Sequence, residues 1–257
     1  MFTTFSAGSA VSPTVLACHK DVVFAAGAGH VVALGTDGSQ LWHSQFSQSS
    51  TRPVTILHNG RSSHPLLYVG HRGKIYVYNT ESQTQVKEWR SGTKAFITMQ
   101  LYEGKLIVGT PSFIWALQPK SMETLWKQSL FGNGSTVALQ VSRINSEDVV
   151  MATIYTNGDR SALTTYRLTD GSTRWGTLSI RSGLCNGSAS IIYHDGYICV
   201  GTSGGHIQGL HTVNKSLSFR FTFGRSWLSF ANTNSYSDPH CSQPFIQEQS
   251  ATLVNPT

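Results

Sequence analysis

The side chains that could carry chemistry in this 257-residue chain are few and scattered. Glu147 and Asp148 form the only adjacent pair of carboxylates, and they stand directly before an apolar stretch. A hard cation such as Ca²⁺ needs about six or more converging oxygen ligands, and no loop with acidic residues at alternating positions supplies them. We therefore interpret this pair as solvated turn residues, and the sequence predicts no metal site.

Ten histidines are the next candidates for metal binding or acid–base catalysis. His206 and His211 lie five residues apart on a predicted strand, so their side chains would point to opposite faces of the sheet. His58 and His64 flank a polar loop, and His71 lies in a predicted turn. Because no HExxH pair and no GxSxG turn occurs, no catalytic residue is predicted. The histidines are interpreted as surface or hydrogen-bonded residues.

The cysteines and the amino-terminal segment bear on the cellular location. Cys18, Cys185, Cys199 and Cys241 show no CxxC pair and no zinc-ligand spacing, and all four are expected to be reduced. Residues 1–21 lack the basic and apolar regions of a signal peptide, and no apolar run approaches the roughly 20 residues that span a bilayer. The sequence therefore predicts a cytoplasmic location and no membrane partner.

The net charge of +6 reflects few acids rather than many bases. Lysines and arginines are scattered instead of clustered on one element, so we predict no specific nucleic-acid partner. The densest basic stretch contains Arg61, Arg72 and Lys74 and continues to Lys94. It could attract an acidic partner, although we prefer the interpretation that it charges strand edges against aggregation.

The elements that must position any site follow from a pattern that occurs five times. Each copy reads as an apolar strand, a small turn, a second apolar strand, a polar turn and a closing aromatic residue. The closing aromatics are 37 to 49 residues apart: Trp42, Trp89, Trp126, Trp175 and Phe219. A period near 40 to 45 residues with several short strands per unit is typical of a β-propeller.

Each copy divides into four strands, which we name A to D in chain order. In the first copy they are predicted at residues 14–18, 22–26, 30–34 and 40–45. We therefore predict an all-β protein, a propeller of four-stranded blades with five repeats. Residues 1–224 would form these blades, starting from about residue 13. Residues 225–257 would form a partial sixth blade, completed by residues 2–6, or an irregular tail. A chain cut from a longer propeller is the further alternative.

The copies resemble the repeats of the PQQ-like (quinoprotein dehydrogenase-like) β-propellers over roughly residues 13–222. The matching segments include AAGAGHVVALGTDGSQLW in the first copy and RLTDGSTRW in the fourth. The resemblance implies that the closing aromatics dock neighbouring blades. The acidic residue that follows Ala-Leu in the family is replaced by Gly35, Asn79 and Gln118 in the first three copies. The adjacent cysteine pair of many quinone-dependent members is also absent from the sequence.

We therefore predict a non-catalytic binding or scaffold propeller without a cofactor, a monomer that holds a protein, a peptide or a glycan. The partner would contact the loops of one face or the mouth of the central channel. The candidate contact positions lie in or beside the turns between strands B and C: His30, His71, Arg72, Pro111, Ser112, Thr156, Asp159, Ser203 and His206. The alternative is an enzyme, either a quinone-dependent oxidoreductase or a cyclase, that uses the channel mouth as its pocket.

Overall fold

The computed structural model describes ten stretches of the chain, which together carry all five repeats. They are residues 15–19, 21–27, 29–47, 54–59, 65–130, 137–157, 160–181, 190–201, 206–213 and 216–222. The partial sixth blade predicted from residues 225–257 and 2–6 lies outside them, so the domain boundary at residue 224 stays a prediction.

Twenty strands form five four-stranded antiparallel sheets in the described part of the chain. The first sheet contains β1 to β4, at Val15–His19, Val22–Gly27, His30–Gly35 and Gln40–Gln45. The second contains β5 to β8, at Thr55–Asn59, Leu66–His71, Lys74–Asn79 and Thr84–Arg90. The third contains β9 to β12, at Thr98–Tyr102, Lys105–Gly109, Phe113–Leu117 and Thr124–Ser129. The fourth contains β13 to β16, at Val137–Ile144, Glu147–Asn157, Arg160–Arg167 and Thr173–Arg181. The fifth contains β17 to β20, at Ser190–His194, Tyr197–Gly201, His206–His211 and Leu217–Thr222.

The first strands of successive sheets lie side by side around a common axis. Strand β1 lies next to β5, β5 next to β9, β9 next to β13, and β13 next to β17. Within each sheet the strands follow in chain order, so the fourth strand lies outermost. This arrangement is a β-propeller, as predicted, and we call the sheets blades 1 to 5.

The second strands of blades 2 to 4 have apolar residues on both faces, and each face packs in a core shared with a neighbouring blade. In β6 of blade 2, Leu67 and Val69 pack in the core shared with blade 1. Leu66 and Tyr68 pack in the core shared with blade 3. Tyr68 is fully buried, and this burial raises the pKa of its hydroxyl to about 12. Burial of a leucine or valine side chain contributes roughly 1.5–3 kcal/mol to the free energy of folding. Contacts with the neighbouring blades are therefore the main source of a blade's stability.

Blade 1 differs from the inner blades because only one of its faces belongs to a described core. Phe24, Val31 and Trp42 pack against blade 2. On the opposite face, Leu16 of β1 is 67% exposed and Leu41 of β4 is 46% exposed. The apolar pattern therefore continues onto a face that no other described blade covers.

The turn signals in the sequence are confirmed at several hairpins. Gly38, Gly171 and Gly196 take the positive φ angles of 81°, 74° and 80° that these tight turns need. Each follows an aspartate, and Asp195 itself has a φ of 46°. No helix in the described residues has the length and apolar character to cross a membrane.

One expectation about the cysteines is wrong. Cys18 of β1 forms a disulfide, and its partner lies outside the described residues. Cys199 of β18 is a free, half-buried thiol, and burial raises its pKa. Apolar surroundings in the sequence indicated that both would be free, but they say nothing about which distant cysteine the fold brings into bonding distance.

Candidate functional site

Two sets of loops share one face of the propeller. They are the turns between strands B and C and the segments that leave strand D for the next blade, and a backbone hydrogen bond joins them in each of blades 1 to 3. The N–H of Phe46 donates to the Gly29 carbonyl at 2.9 Å, and that of Ser91 donates to the Gly73 carbonyl at 2.8 Å. In blade 3 the Leu130 N–H donates to the Ser112 carbonyl at 2.8 Å. We call this surface the B–C face.

Glycine is required where two of these loops meet. Gly29 and Gly73 have φ angles of 87° and 76°, a conformation that side chains disfavour by roughly 1–2 kcal/mol. A Cβ at Gly29 would lie 2.5 Å from the Ser47 carbonyl oxygen, and one at Gly73 would overlap the Thr93 carbonyl oxygen. The B–C turn and the departing loop are therefore in close backbone contact in blades 1 and 2.

The predicted contact residues of blades 1 and 2 fall in different environments. Arg72 is exposed at the tip of the turn, with a φ of 48°. His30 is half-buried at the start of β3 and pairs with His43. The prediction that His71 lies in a turn is wrong, because it is the last residue of β6 and only 2% exposed. Its ring packs against Phe46 at 5.4 Å between ring centroids, so it is not a surface contact.

The predicted contact residues of blades 3 to 5 are only partly described. Pro111 is half-buried and Ser112 is exposed in the B–C turn of blade 3. Thr156 lies in β14 and His206 begins β19, but their side chains are outside the description. Asp159 and Ser203 fall outside the described residues altogether. The role of these positions stays a prediction.

An aromatic and basic cluster at the seam between blades 2 and 3 was not predicted. Trp89 of β8 meets Trp115 of β11 edge to face, with ring centroids 5.2 Å apart. Phe113 follows the B–C turn of blade 3, and its ring lies 5.5 Å from Trp115. The Lys127 ammonium stands 3.8 Å from the Phe113 ring centroid, a cation–π distance. The register that pairs Trp115 with Lys127 brings these residues together, and the alternating aromatics of FIW are the only sequence signal for it.

At the seam between blades 1 and 2, an acidic side chain balances the basic ones. Glu88 accepts from the Lys74 ammonium at 3.1 Å and from the Arg90 guanidinium at 2.6 Å. Partial burial acts to raise the pKa of Glu88, but these two hydrogen bonds and charges outweigh it and lower the pKa. Among the described residues, Lys127 at the next seam is exposed and forms no ion pair of this kind, so Lys127 and Arg72 both carry exposed positive charge on the B–C face.

The closing tryptophans lie at the seams between blades. Trp42 and Trp126 are 7% and 8% exposed, whereas Trp89 and Trp175 are half-buried. Each packs in a core with residues of the following blade. Phe219 pairs with Gly209 in β20, and its side chain is outside the description.

The adjacent carboxylates on the opposite face are ion-paired rather than solvated turn residues. Glu147 accepts from the guanidinium groups of Arg167 and Arg174, both at 2.6 Å. Asp148 accepts from Arg143 at 3.0 Å and from the Tyr102 hydroxyl at 3.1 Å. Both carboxylates begin β14 instead of preceding it. In the described residues, no group of three or more histidine, cysteine or acidic side chains is placed to hold a metal ion.

The chain belongs to the family whose model is described as outer membrane protein assembly factor BamB, which matches residues 27–217. This match confirms the resemblance to PQQ-like propeller repeats. No curated protein matches the sequence.

Solved structures with the same fold include two propellers from distant organisms. The crystal structure of BamB from Moraxella catarrhalis gives a TM-score of 0.58 at 14% identity, over 81% of this chain and 63% of that chain. The WD40 domain of Toxoplasma gondii coronin gives a TM-score of 0.59 at 12% identity, over 80% of this chain and 56% of that chain. These likenesses show the fold alone, and this chain spans less than two thirds of either structure.

Proposed function

We propose that this chain is a non-catalytic scaffold that binds a protein or peptide on its B–C face. The observation that carries the proposal is the exposed positive charge of two side chains beside loops that are hydrogen-bonded to each other. Arg72 projects from a turn that is locked to the neighbouring loop, and Lys127 lies over the ring of Phe113 beside the next turn. A charged group beside a half-exposed aromatic ring suits an acidic segment with an apolar side chain.

The comparisons are consistent with a binding role. The matching family model carries the name of an assembly factor for outer membrane proteins, and that role belongs to the protein it names. A propeller fold by itself does not imply chemistry. The partner of this chain is therefore proposed from the chemistry of its own surface.

A pair of charge reversals on opposite faces tests this proposal. Arg72→Glu changes the B–C face, whereas Lys120→Glu makes the same kind of change in an exposed turn between strands C and D. Crosslinking followed by quantitative mass spectrometry should recover at least one partner with the wild type and Lys120→Glu but not with Arg72→Glu. Equal recovery by both variants would refute a B–C face interaction. A saturable rise in melting temperature with pyrroloquinoline quinone and Ca²⁺ would instead favour the enzymatic alternative.

The cellular location stays a prediction, and the disulfide at Cys18 weighs against the cytoplasm. Disulfides persist mainly in oxidising compartments and are rare in cytosolic proteins. We therefore propose an oxidising compartment for this chain. Alkylation of unfolded protein purified without reductant, followed by mass spectrometry, should leave Cys18 unmodified and Cys199 modified. Modification of Cys18 would restore the cytoplasmic expectation.

A further inference from the structure

Two histidines on adjacent strands of blade 1 form a close pair that no residue spacing in the sequence indicated. His30 begins β3 and His43 lies in β4, and they are brought together by the hairpin. Val32 is directly opposite His43, and His30 is opposite Gln45, so the two histidines are diagonal neighbours on one face. Side chains at such positions are within reach of each other.

The two rings direct nitrogen atoms at each other. Nδ1 of His30 and Nε2 of His43 are 2.9 Å apart, and the rings are stacked with 22° between their planes. A neutral imidazole has one N–H and one nitrogen lone pair. One ring therefore donates and the other accepts, and within the described residues neither ring has another hydrogen-bond partner.

The pair is accessible to solvent. It lies on the face of blade 1 opposite Trp42, the face that belongs to none of the described cores. His43 is exposed and His30 is half-buried. Leu16 shares this face and is 67% exposed. An ion could reach both nitrogens while keeping water molecules on its outer side.

We propose that His30 and His43 form a two-imidazole chelate for a divalent late transition metal, with Cu²⁺ preferred. Metal–imidazole bonds are about 2.0–2.1 Å long, so two cis ligands at the 90° angle of a square-planar or tetragonal ion lie about 2.9 Å apart. Tetrahedral coordination, which Zn²⁺ favours, needs a separation of about 3.3 Å. The observed 2.9 Å is within reach of both geometries after the rings turn, and the preference for Cu²⁺ rests on the general order of stability, in which Cu²⁺ binds more strongly than Ni²⁺ or Zn²⁺.

Binding requires only a local change at the pair. With 2.9 Å between the nitrogens and an angle of 90° at the metal, the ion lies about 1.4 Å off the line on which the shared hydrogen lies, so both rings turn by about 45° to point their lone pairs at the ion. The ring that donated its N–H adopts the other tautomer, so that its proton moves to the far ring nitrogen and no net proton is released. Water fills the remaining coordination positions. The proposal does not depend on the binding function proposed for the B–C face.

Copper titration of the full chain after chelator treatment tests the site. One equivalent of Cu²⁺ should give an electron paramagnetic resonance spectrum with splitting from two nitrogens. His30→Gln and His43→Gln should each weaken binding by at least about tenfold, since loss of an outer-shell partner alone costs about 10–100-fold. Each variant should show splitting from one nitrogen. His194→Gln, at an exposed position in blade 5, should bind like the wild type.

The result that overturns the proposal is equally specific. Unchanged Cu²⁺ affinity in either pair variant, or the same loss in His194→Gln, would show that copper binds elsewhere. Thermal unfolding without metal separates a lost ligand from a damaged fold, because the pair variants should melt with the wild type. If His30→Gln melts early, His43→Gln decides the question, because His43 is the more exposed of the two.

Discussion

The seam between blades 3 and 4 and the seam between blades 1 and 2 use the same residue in different ways. At the first, the Trp126 indole N–H donates to the Leu168 carbonyl of the next blade at 3.0 Å. At the second, Trp42 is buried to the same degree and lies tilted against Tyr78 with ring centroids 5.6 Å apart, but its indole N–H is buried without a hydrogen-bond partner in the described structure. Burial of the ring is thus common to both seams, whereas the polar contact is not.

The turns between strands C and D of blades 4 and 2 differ at one position. In blade 4 the turn after Arg167 contains Gly171, and a Cβ there would lie 2.7 Å from the Trp126 ring. The turn of blade 2 has the same length, and Gln83 takes the corresponding left-handed position with a φ of 59°. At Gly171 the Trp126 ring lies against the backbone, whereas the side chain of Gln83 is exposed. The comparison teaches that the aromatic residue provides the apolar docking at both seams, whereas the close approach to the turn is seen at Gly171.

The largest expected effect tests what the two seams share. Trp126→Ala and Trp42→Ala should each reduce the free energy of unfolding by about 3–5 kcal/mol, because each leaves a large cavity between blades. Urea denaturation measures the loss. Leu125→Ala is the control, since Leu125 precedes Trp126 but is 49% exposed, and a surface change should stay within about 0.5 kcal/mol. A small loss at either tryptophan would contradict the docking role.

The next prediction tests the close approach at the turn. Gly171→Ala should cost about 2–4 kcal/mol, because it combines a left-handed residue with a clash against the Trp126 ring. Gly104→Ala is the matched control, since Gly104 has a similar φ of 69° and open space around its Cα. It should cost only about 1–2 kcal/mol. Equal losses of unfolding free energy in Gly171→Ala and Gly104→Ala, measured by chemical denaturation, would show that the contact with the Trp126 ring adds no cost.

A third prediction isolates the hydrogen bond. Trp126→Phe should destabilise the chain by about 1–3 kcal/mol more than Trp42→Phe, because only the former leaves the buried Leu168 carbonyl without its donor. Both changes remove a similar ring volume, so the difference between the two variants reports the N–H contact. Calorimetric unfolding of both proteins provides the comparison. A larger loss of stability in Trp42→Phe than in Trp126→Phe would contradict the hydrogen bond assigned to the Trp126 indole N–H.

A fourth change should have the opposite sign. Gln83→Gly removes a side chain from a left-handed backbone position, which favours folding by about 1–2 kcal/mol. The greater freedom of glycine in the unfolded chain opposes this by about 0.5–1 kcal/mol. The net result should be a small increase in the melting temperature. Glu81→Gly changes an exposed residue of the same turn and should lower the melting temperature. A similar rise in the melting temperature of Glu81→Gly would show that the left-handed backbone of Gln83 is not the cause.

The smallest expected effect concerns pH. Hydrogen bonds from the backbone N–H and the hydroxyl of Ser172 lower the pKa of Asp170. An acid with a lowered folded pKa stabilises the fold above its unfolded pKa and loses that contribution as the pH falls through the folded value. The Asp170 turn should therefore weaken below about pH 4. Asp170→Asn should flatten this part of the stability curve, and an unchanged pH dependence would exclude the contribution. The turn of blade 2 uses the neutral Asn79 amide in a similar way, where it accepts two backbone N–H groups.

Much of the fold could be predicted because the relevant signals are local. Alternating apolar residues and Asp-Gly turns place strands such as Lys105–Gly109 and Tyr197–Gly201 within the correct repeat. The closing aromatics mark the outermost strand of every blade. The candidate site was less predictable. Arg72 was placed correctly in an exposed turn, but His71, one residue earlier, was expected there too and is buried under Phe46.

The sequence by itself determined the number of repeats, the order of strands and the positions of the turns, because each depends on residues close together in the chain. Only the tertiary structure decided the contacts of Trp126, Lys127, His30 and Cys18. The two-residue period of a strand indicates which side chains share a face. It does not indicate which of the two faces a neighbouring blade covers. Partners that lie 13 or 42 residues apart, such as His30 with His43 and Trp126 with Leu168, meet only when the sheets pair and the blades pack around their axis.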